Sequence, residues 1–410
     1  MLAVSRPVLL SKVNEISNKD DLITKLQRAL MIEFSTIPPY LTAMYSIMDN
    51  SNYAYRLFRS VVLEEMLHMN LVCNLLNGIG GHPQFAENPD FPVYPTGLPG
   101  QKPGEGPLLQ LVPVSIALIQ NTFMAIEEPA RKHARPEDDN YQTIAQFYLA
   151  IRDGFITVQN KIGHDALFID TGFQKMDSYF GSGGGKLVYV KDLESALLAI
   201  SEIVEQGEGA PGTDSPTIPN EPYGSYDAYG ERPDGTFGPL VRTTDEQSHF
   251  YKFMDVAKGM YPLGNVYPML PNPVAEAFES SAAKQLAQIL NGCYGIMVRG
   301  LETTFNSKTE PDPFFTVVFA MMQGIIPALS VQLMQMPAGD YIDPAVGPNA
   351  GPTFRYVYMT LDEIVSRAET LLQEISKQKG TDALQNTVKA TLHTLHGIQE
   401  KVKAFKLGFL

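Results

Sequence analysis

The sequence predicts an all-α protein with a four-helix bundle, inserted helices and long loops, followed by a C-terminal helical region. Apolar residues recur at steps of three and four along most of the chain, which is the period of amphipathic helices. The motif Glu-x-x-His occurs twice in such stretches, as Glu65 with His68 and as Glu246 with His249. Residues three apart lie on one helix face, so each pair can bind one metal ion.

The first predicted helix begins near residue 20, with Asn18 or Lys19 close to its N-cap. Glu33 interrupts an otherwise apolar stripe of leucine and isoleucine on this helix, so its carboxylate is expected to face the bundle interior. At residues 38–39 two consecutive prolines remove backbone donors. They are expected to kink the helix or to end it.

The second predicted helix runs from about Tyr53 to Asn77, where a glycine-rich segment ends it. Its apolar stripe includes the positions of Glu65 and His68. A buried ionised carboxylate is costly unless a cation pairs with it. The shared stripe therefore favours a buried metal site, whereas a solvated face with surface ion pairs is the simpler alternative for either motif taken alone.

Several acidic residues compete for the place of a third-helix carboxylate. A helix predicted over Asp192 to about Gly207 puts Glu208 in phase with its apolar stripe, and Glu208 is the preferred candidate. Glu205 and Glu202 are alternatives, because glycines at the helix end can change which acid points inward. Glu127 is a further rival, since it ends an earlier apolar stripe through Ile116, Ile119 and Phe123.

The predicted metal ligands share an inward phase on four helices. They are Glu33, Glu65, His68, Glu208, Glu246 and His249. Four carboxylates balance the charge of two divalent cations, and two neutral imidazoles complete the set. Oxygen and nitrogen ligands without thiolate favour iron or manganese over structural zinc. Two iron ions (Fe) are the predicted cofactor, with manganese as the alternative.

Long connections rich in glycine and proline separate the helices. The segment 155–190 is predicted to contain a short strand around Leu187 and Tyr189, where polar and apolar residues alternate. The loop Gly209–Leu240 carries three tyrosines spaced by three residues. It is expected to be either a disordered loop or a lid over one end of the metal site.

A proline-rich linker after residue 265 divides the chain into a predicted bundle domain, residues 1–265, and a C-terminal helical region, residues 266–410. The C-terminal region has four predicted helices. They are Ala275–Phe305, Pro313–Gln335, Leu361–Lys377 and Ala383–Lys406. Their methionine-rich stripes are interpreted as core rather than as a cofactor site.

Composition describes a soluble globular protein: 410 residues, 44% hydrophobic and 19% charged. The formal net charge of −14 argues against a nucleic-acid or anionic-membrane partner.

Cys73 and Cys293 lie on apolar helix faces and are expected to be reduced core residues. The longest apolar run, Pro313–Met336, is interrupted by Gln323, Gly324 and Pro327, so no transmembrane helix is expected. A cytoplasmic protein is expected, because no secretory signal pattern stands at the N-terminus.

Four runs of the sequence resemble a known family. These runs are Leu30–Glu33, Leu63–Leu76, Ile203–Gly209 and Glu246–Phe250. They are similar to the ligand runs of the ferritin-like family typified by iminophenyl-pyruvate dimer synthases, which act in bisindole pigment pathways. The resemblance covers most of the first 260 residues. It implies a ferritin-like bundle, a dinuclear iron site and the oxidative coupling of two aryl imino acids.

Three functions are compatible with these patterns. The preferred one is a non-haem dinuclear iron oxidase or oxygenase that uses dioxygen on a small organic substrate. The alternatives are a ferroxidase or iron store, and a helical scaffold without catalysis. The appended C-terminal helices and the loop Gly209–Leu240 favour a substrate pocket over a storage shell. The sequence leaves open whether the chain forms a homo-oligomer.

Overall fold

The computed structural model describes residues 10–11, 16–102, 104–129, 140–141, 143–178, 185–207, 248–308, 310, 312–339 and 343–405. These residues form eleven helices, one 3-10 turn at Ala275–Ala277 and one two-residue antiparallel ladder, Leu10–Ser11 with Asn140–Tyr141. The fold is all-α, as predicted. The helices are α1 Lys19–Ser46, α2 Tyr53–Gly78, α3 Ile116–Ile126, α4 Ile144–Ile162, α5 His164–Leu167, α6 Leu193–Gly207, α7 His249–Ala257, α8 Ser281–Asn306, α9 Phe314–Met334, α10 Leu361–Ile375 and α11 Asp382–Phe405.

Helix α1 is longer than its two prolines suggest. Asn18 is its N-cap, and the Asn18 side chain accepts a hydrogen bond from the Asp21 amide at 3.0 Å. The helix continues through Pro38 and Pro39 to its end at Ser46. Pro39 cannot donate to the carbonyl of Ser35, four residues earlier, and the Tyr94 hydroxyl donates to that carbonyl instead at 2.8 Å. A side chain from a distant loop thus replaces one lost backbone bond, and the helix does not break.

Helix α2 ends where the sequence predicts. Its last residue is Gly78, and Gly80 follows in the left-handed conformation with φ of 75°. The amide of Gly81 donates back to the Leu76 carbonyl at 2.8 Å. Helices α1 and α2 pack against each other along their length and form the centre of the bundle.

Helix α3 contains a π turn at Ile119–Phe123. A π turn holds one more residue than an α turn, so it rotates the flanking residues relative to one another. Ile116, before the π turn, is 38% exposed, while Ile119 and Phe123 at the two ends of the turn and Glu127 after it are buried. The predicted stripe is therefore correct from Ile119 onward and wrong at Ile116.

The remaining bundle helices enclose α1 and α2. Helix α4 packs on α1, helix α6 packs on α2 and α4, and helix α7 packs on α2 and α3. The strand predicted around Leu187 and Tyr189 is not present, and residues 186–190 are irregular. Side-chain amides take the place of a neighbouring strand: Asn74 donates to the Val188 carbonyl and Gln174 bonds both backbone groups of Val190.

The four predicted C-terminal helices are all present, as α8 to α11. Helix α9 runs unbroken through Gln323 and Gly324, and two π turns lie within it. Pro327 lies in the first turn of its regular α-helical part, where a missing N–H costs little. The helix predicted over Pro313–Gln335 is therefore confirmed. Among the described residues α9 alone is long and apolar enough to cross a membrane. Half of its most apolar stretch is buried inside the protein, so its length and composition are weak evidence for a membrane span.

The apolar core continues from the bundle into the C-terminal helices. The connection after α7 runs beside the end of α1: the Met48 amide donates to Asn265 and the Tyr267 amide donates to Ser46, both at 2.9 Å. Helix α9 packs on α1 and α8, and α10 packs on α8 and α11. A division into domains at residue 265 stays a prediction. Cys73 and Cys293 are buried free thiols within this core, as predicted.

Candidate metal centre

Three carboxylates and two imidazoles meet inside the bundle. Glu33 comes from α1, Glu65 and His68 from α2, Glu127 from the end of α3, and His249 from the start of α7. All five are at most 5% exposed. They form two groups that share Glu65, and within each group one ligand atom per residue lies within 4.8 Å of the others.

The two imidazoles approach the carboxylates through the same ring nitrogen. His68 Nδ1 lies 3.4 Å from Glu33 Oε2. His249 Nδ1 lies 3.0 Å from Glu65 Oε1 and 3.6 Å from Glu127 Oε2. The two rings are stacked, with centroids 5.4 Å apart. Each imidazole thus turns one nitrogen toward a pair of carboxylates.

The other ring nitrogen of each imidazole is held by a polar partner outside the cluster. His68 Nε2 lies 2.9 Å from the Gln206 amide oxygen, and His249 Nε2 lies 2.9 Å from Glu64 Oε2. Both partner oxygens accept hydrogen bonds, so each Nε2 is the donating nitrogen and each Nδ1 is the nitrogen that faces the clustered carboxylates. Lys252 also donates to Glu64 at 2.6 Å, which keeps that buried carboxylate ionised.

Each clustered carboxylate also accepts a hydrogen bond from a hydroxyl group. The Tyr148 hydroxyl donates to Glu33. Thr36 donates to Glu65 at 2.8 Å, and Tyr40 donates to Glu127 at 2.7 Å. Every carboxylate therefore has one oxygen fixed by a hydroxyl and the other near an imidazole, which holds the three groups in place.

The pKa values show how strongly these groups interact. Burial and the neighbouring Glu127 carboxylate raise the pKa of Glu65 to about 7. Burial alone would lower the pKa of His249, but the Glu127, Glu64 and Glu65 carboxylates outweigh it and raise that pKa well above its ordinary value. Burial would raise the pKa of Glu64, yet the Lys252 ammonium and the His249 ring lower it to about 2. The cluster therefore concentrates negative charge that a cation would neutralise.

The donor set fits divalent metal ions. His249 Nδ1 is buried and makes no hydrogen bond to the described residues, although carboxylate oxygens lie beside it. A neutral imidazole whose second nitrogen donates to a carboxylate or an amide is the usual arrangement of a metal-binding histidine. Carboxylate oxygens and imidazole nitrogens are ligands that iron and manganese accept. The two Glu/His groups are thus candidates for binding metal.

The structure brings together four of the six residues chosen from sequence: Glu33, Glu65, His68 and His249. Glu208 and Glu246 lie outside the described residues, so their assignment stays a prediction. The loop Gly209–Leu240, predicted as a lid or a disordered loop, also lies outside them. Of the rivals to Glu208, the structure brings Glu127 into the cluster.

The two alternatives on helix α6 have other surroundings. Glu202 is buried and accepts a hydrogen bond from the Lys186 amide at 2.8 Å. Glu205 is only partly buried, and burial together with the Glu202 carboxylate raises its pKa. Neither belongs to the two Glu/His groups found among the described residues.

Sequence reasoning missed the residues that hold the ligands. Glu64 directly precedes a chosen ligand, and its burial depends on Lys252 and His249, which are distant along the chain. Thr36 and Tyr40 follow Glu33 at steps of three and four, so the stripe through Glu33 was an available signal for both.

Comparisons with known proteins identify the family to which the fold belongs. A family model described as Ferritin-like matches residues 26–258. Dichlorochromopyrrolate synthase of Lentzea aerocolonigenes is 23% identical over 431 residues, covering 88% of this chain and 38% of that protein. The 2-imino-3-(indol-3-yl)propanoate dimerase of Chromobacterium violaceum is 24% identical over 419 residues, covering 88% of this chain and 37% of that protein. This chain thus spans well under half the length of either relative.

A solved structure supports the fold. The crystal structure of a ferritin-like protein from Caulobacter vibrioides aligns with a TM-score of 0.53 and 21% identity, covering 82% of this chain and 98% of that one. The family match includes α1, α2, α3 and α7, the four helices that supply the clustered side chains. Because it spans more than half of the sequence, the chain belongs to the Ferritin-like family.

Proposed function

We propose that the protein is a non-haem dinuclear iron oxidase or oxygenase, and that Glu33, Glu65, His68, Glu127 and His249 hold its two metal ions. One observation carries the proposal. Two buried imidazoles each direct Nδ1 toward a pair of carboxylates, while Nε2 is occupied by a polar partner outside the cluster. In this orientation the Nδ1 atom of each imidazole is the nitrogen that would bind a metal ion.

In this proposal Glu65 links the two halves of the site, because it belongs to both Glu/His groups. Glu127 is the third-helix carboxylate, with Glu208 as its rival. Glu246, three residues before His249, is the sixth ligand predicted from the sequence spacing. Four carboxylates and two neutral imidazoles then balance the charge of two ferrous ions.

The residues around the cluster prepare the site for redox chemistry. When bound, two ferrous ions supply electrons for the reduction of dioxygen. Hydroxyls of Tyr148, Thr36 and Tyr40 donate to the carboxylates, and these hydrogen bonds hold the ligands in position. Apolar side chains of α1, α4 and α6, such as Ile32 and Ile203, line the rest of the cavity at the cluster and exclude bulk water.

The proposed substrate is a small organic molecule of the aryl amino-acid or imino-acid class, with dioxygen as co-substrate. The names of the two curated relatives, a synthase of dichlorochromopyrrolate and a dimerase of an indolyl imino acid, support this class. This chain spans only 38% and 37% of the length of those two proteins. The assignment of their substrate class to this chain is therefore a proposal.

An iron store of the same fold would use similar ligands, and iron stoichiometry separates the two functions. Ferrous iron is titrated anaerobically into the metal-free protein, the sample is exposed to air, and bound iron is counted. We expect saturation near two ions per chain and faster oxygen consumption when an aryl amino acid or its imine is added. Iron uptake well beyond two ions, with growth of a ferric mineral, would contradict the enzyme and support storage.

A companion experiment tests the two histidines separately. His68→Ala and His249→Ala are each expected to lower metal content while the protein stays helical by circular dichroism, because each removes one neutral ligand and little of the core. His82→Ala is the matched control, since His82 is exposed and lies outside both Glu/His groups. Full metal occupancy in both ligand variants would contradict the assignments.

A further inference from the structure

A second cavity of about 40 Å³ lies between α1, α2 and the C-terminal helices α8 and α9. Its side chains are apolar apart from the hydroxyls of Tyr45 and Tyr294. None of the five clustered carboxylates and imidazoles lines it, because it uses a different face of α1 and α2. We call it the C-terminal cavity.

One residue that lines this cavity has a buried polar atom without a hydrogen-bond partner among the described residues. Tyr294 is 2% exposed, and its hydroxyl makes no hydrogen bond to any described residue. The hydroxyl of nearby Tyr94 is already donated to the Ser35 carbonyl. An unpaired buried hydroxyl is destabilising, and such groups in native proteins usually find a water or a ligand. A ligand atom that hydrogen-bonds to Tyr294 would remove this penalty.

The surroundings of Tyr294 are aromatic. Its ring stacks on Phe34 at a centroid distance of 6.3 Å and meets the edge of Phe354 at 5.6 Å. Both phenylalanines also line the cavity. Aromatic walls of this kind favour a flat aromatic ligand over an aliphatic one of equal size.

Four methionines make the cavity adaptable. Met69 and Met297 are buried in its wall, while Met66 and Met322 are partly exposed. A cavity that binds benzene measures about 150 Å³, so a ring needs more room than this cavity has at rest. Methionine side chains are flexible and polarisable, and their movement can supply that room.

We propose that the C-terminal cavity binds a small aromatic molecule of the phenol class, whose single oxygen pairs with the Tyr294 hydroxyl. The ring lies against Phe34 and Phe354, and the methionines close around it. This site is independent of the metal centre, because it shares no lining residue with the carboxylate cluster. Its occupant would contact the neighbouring faces of α1 and α2 rather than the metal ligands.

Phenol and toluene are the probes, because they differ by a hydroxyl and have nearly the same shape. Each is titrated by calorimetry into the metal-loaded protein and into Tyr294→Phe. We expect phenol to bind the wild-type protein about two- to tenfold more tightly than the variant, the range of one hydrogen bond. Toluene is expected to bind both proteins equally. Equal phenol affinity for the two proteins would overturn the pairing with Tyr294.

A substitution that fills the C-terminal cavity tests where the two probes bind. Met297→Phe adds volume inside the cavity and is expected to abolish binding of both probes, whereas Met260→Phe, at a 59% exposed position, is expected to leave binding unchanged. Unchanged binding in Met297→Phe would overturn the location.

The wild-type protein provides a measurement that does not depend on any variant folding. With ¹³C-methyl methionine, phenol is expected to shift the methyl signals of Met66, Met69, Met297 and Met322, while that of Met260 stays in place. Absence of these shifts at the highest phenol concentration used would show that phenol does not enter the cavity, and would overturn the proposal.

Discussion

Helices α1 and α2 carry two adjacent faces with opposite chemistry. On α1 the residues Glu33, Thr36 and Tyr40 meet in the carboxylate cluster. Their immediate successors in sequence, Phe34, Ile37 and Leu41, line the C-terminal cavity. One residue turns about 100° around a helix, so a single step along the chain changes the environment from buried carboxylates to apolar wall.

Helix α2 repeats this arrangement. Glu65 and His68 belong to the cluster, and the next residues, Met66 and Met69, line the C-terminal cavity. Carboxylates in the cluster repel one another and are costly to bury without a cation. Apolar side chains in the cavity contribute transfer free energy and need no ligand. Substitutions on the face with the carboxylate cluster should therefore change metal binding. Substitutions on the face that lines the C-terminal cavity should change folding stability.

The largest effect is expected from Glu65→Gln. The substitution removes the charge of the carboxylate shared by both Glu/His groups. We expect both ions to be lost and iron-dependent oxygen consumption to fall by more than about 100-fold, since even residues that only support a ligand contribute about 10- to 100-fold. Metal analysis and oxygen-electrode assays measure this. Glu87→Gln, at an exposed glutamate, is the control, and two ions retained in Glu65→Gln would contradict the assignment.

On the other face Leu301→Ala should act on folding alone. Leu301 is 2% exposed and lines the C-terminal cavity, so its truncation enlarges an existing void. We expect a loss of about 2–5 kcal/mol in the free energy of unfolding, with unchanged metal content per folded chain. Denaturant unfolding of the metal-free protein measures the loss. Leu198→Ala, at a 45% exposed position, is the control and should cost under about 0.5 kcal/mol.

Loss of metal with full stability in Leu301→Ala would mean that the two faces are not independent.

The apolar stripes that predict α1 and α2 also predict which of their residues are buried, because the helical period decides both. For this reason the sequence identifies Glu33, Glu65, His68 and His249 without a structure. The helix bounds are close for the same reason, as Tyr53–Gly78 shows.

Other parts of the fold depend on long-range contacts that local patterns do not contain. The continuity of α1 depends on a hydrogen bond from Tyr94 to Ser35, 59 residues away in sequence. The preference for Glu208 over Glu127 rested on the order of the helices along the chain, whereas the end of α3 packs on α7 and so brings Glu127 beside His249. Irregular backbone at residues 186–190 is stabilised by the side chains of Asn74 and Gln174 rather than by a neighbouring strand.

A smaller effect is expected from Glu64→Gln. Glu64 accepts the Nε2 proton of His249 and is paired with Lys252, but it lies outside the two Glu/His groups. A neutral amide orients the imidazole less firmly, so we expect metal affinity to fall by about 10- to 100-fold. Titration of ferrous iron under anaerobic conditions measures the affinity. An affinity equal to that of the wild-type protein would show that Glu64 does not support His249.

The smallest effect concerns pH. In the metal-free protein the pKa of Glu65 is raised to about 7 and those of His68 and His249 are raised above their ordinary values. Protons therefore compete with metal ions, and ferrous affinity should be lower at pH 6 than at pH 8. The folded metal-free state also binds more protons than the unfolded state in this range, so its stability should fall as the pH rises through 7.

Two titrations and two unfolding curves test this prediction. Ferrous binding at pH 6 and pH 8 gives the affinity, and denaturant unfolding of the metal-free protein at the same pH values gives the stability. Tighter metal binding at pH 6, or a metal-free protein that is more stable at pH 8, would contradict the direction of these pKa shifts.

Anomalous diffraction locates the metal ions of the proposed dinuclear centre. Crystals of protein expressed in iron- and manganese-supplied medium are measured on both sides of the iron and manganese edges. Two anomalous peaks are expected about 3.5–4 Å apart, enclosed by Glu33, Glu65, His68, Glu127 and His249, with the iron edge giving the stronger signal. A single peak, peaks bound elsewhere, or no peak inside the bundle would contradict a dinuclear centre at these residues.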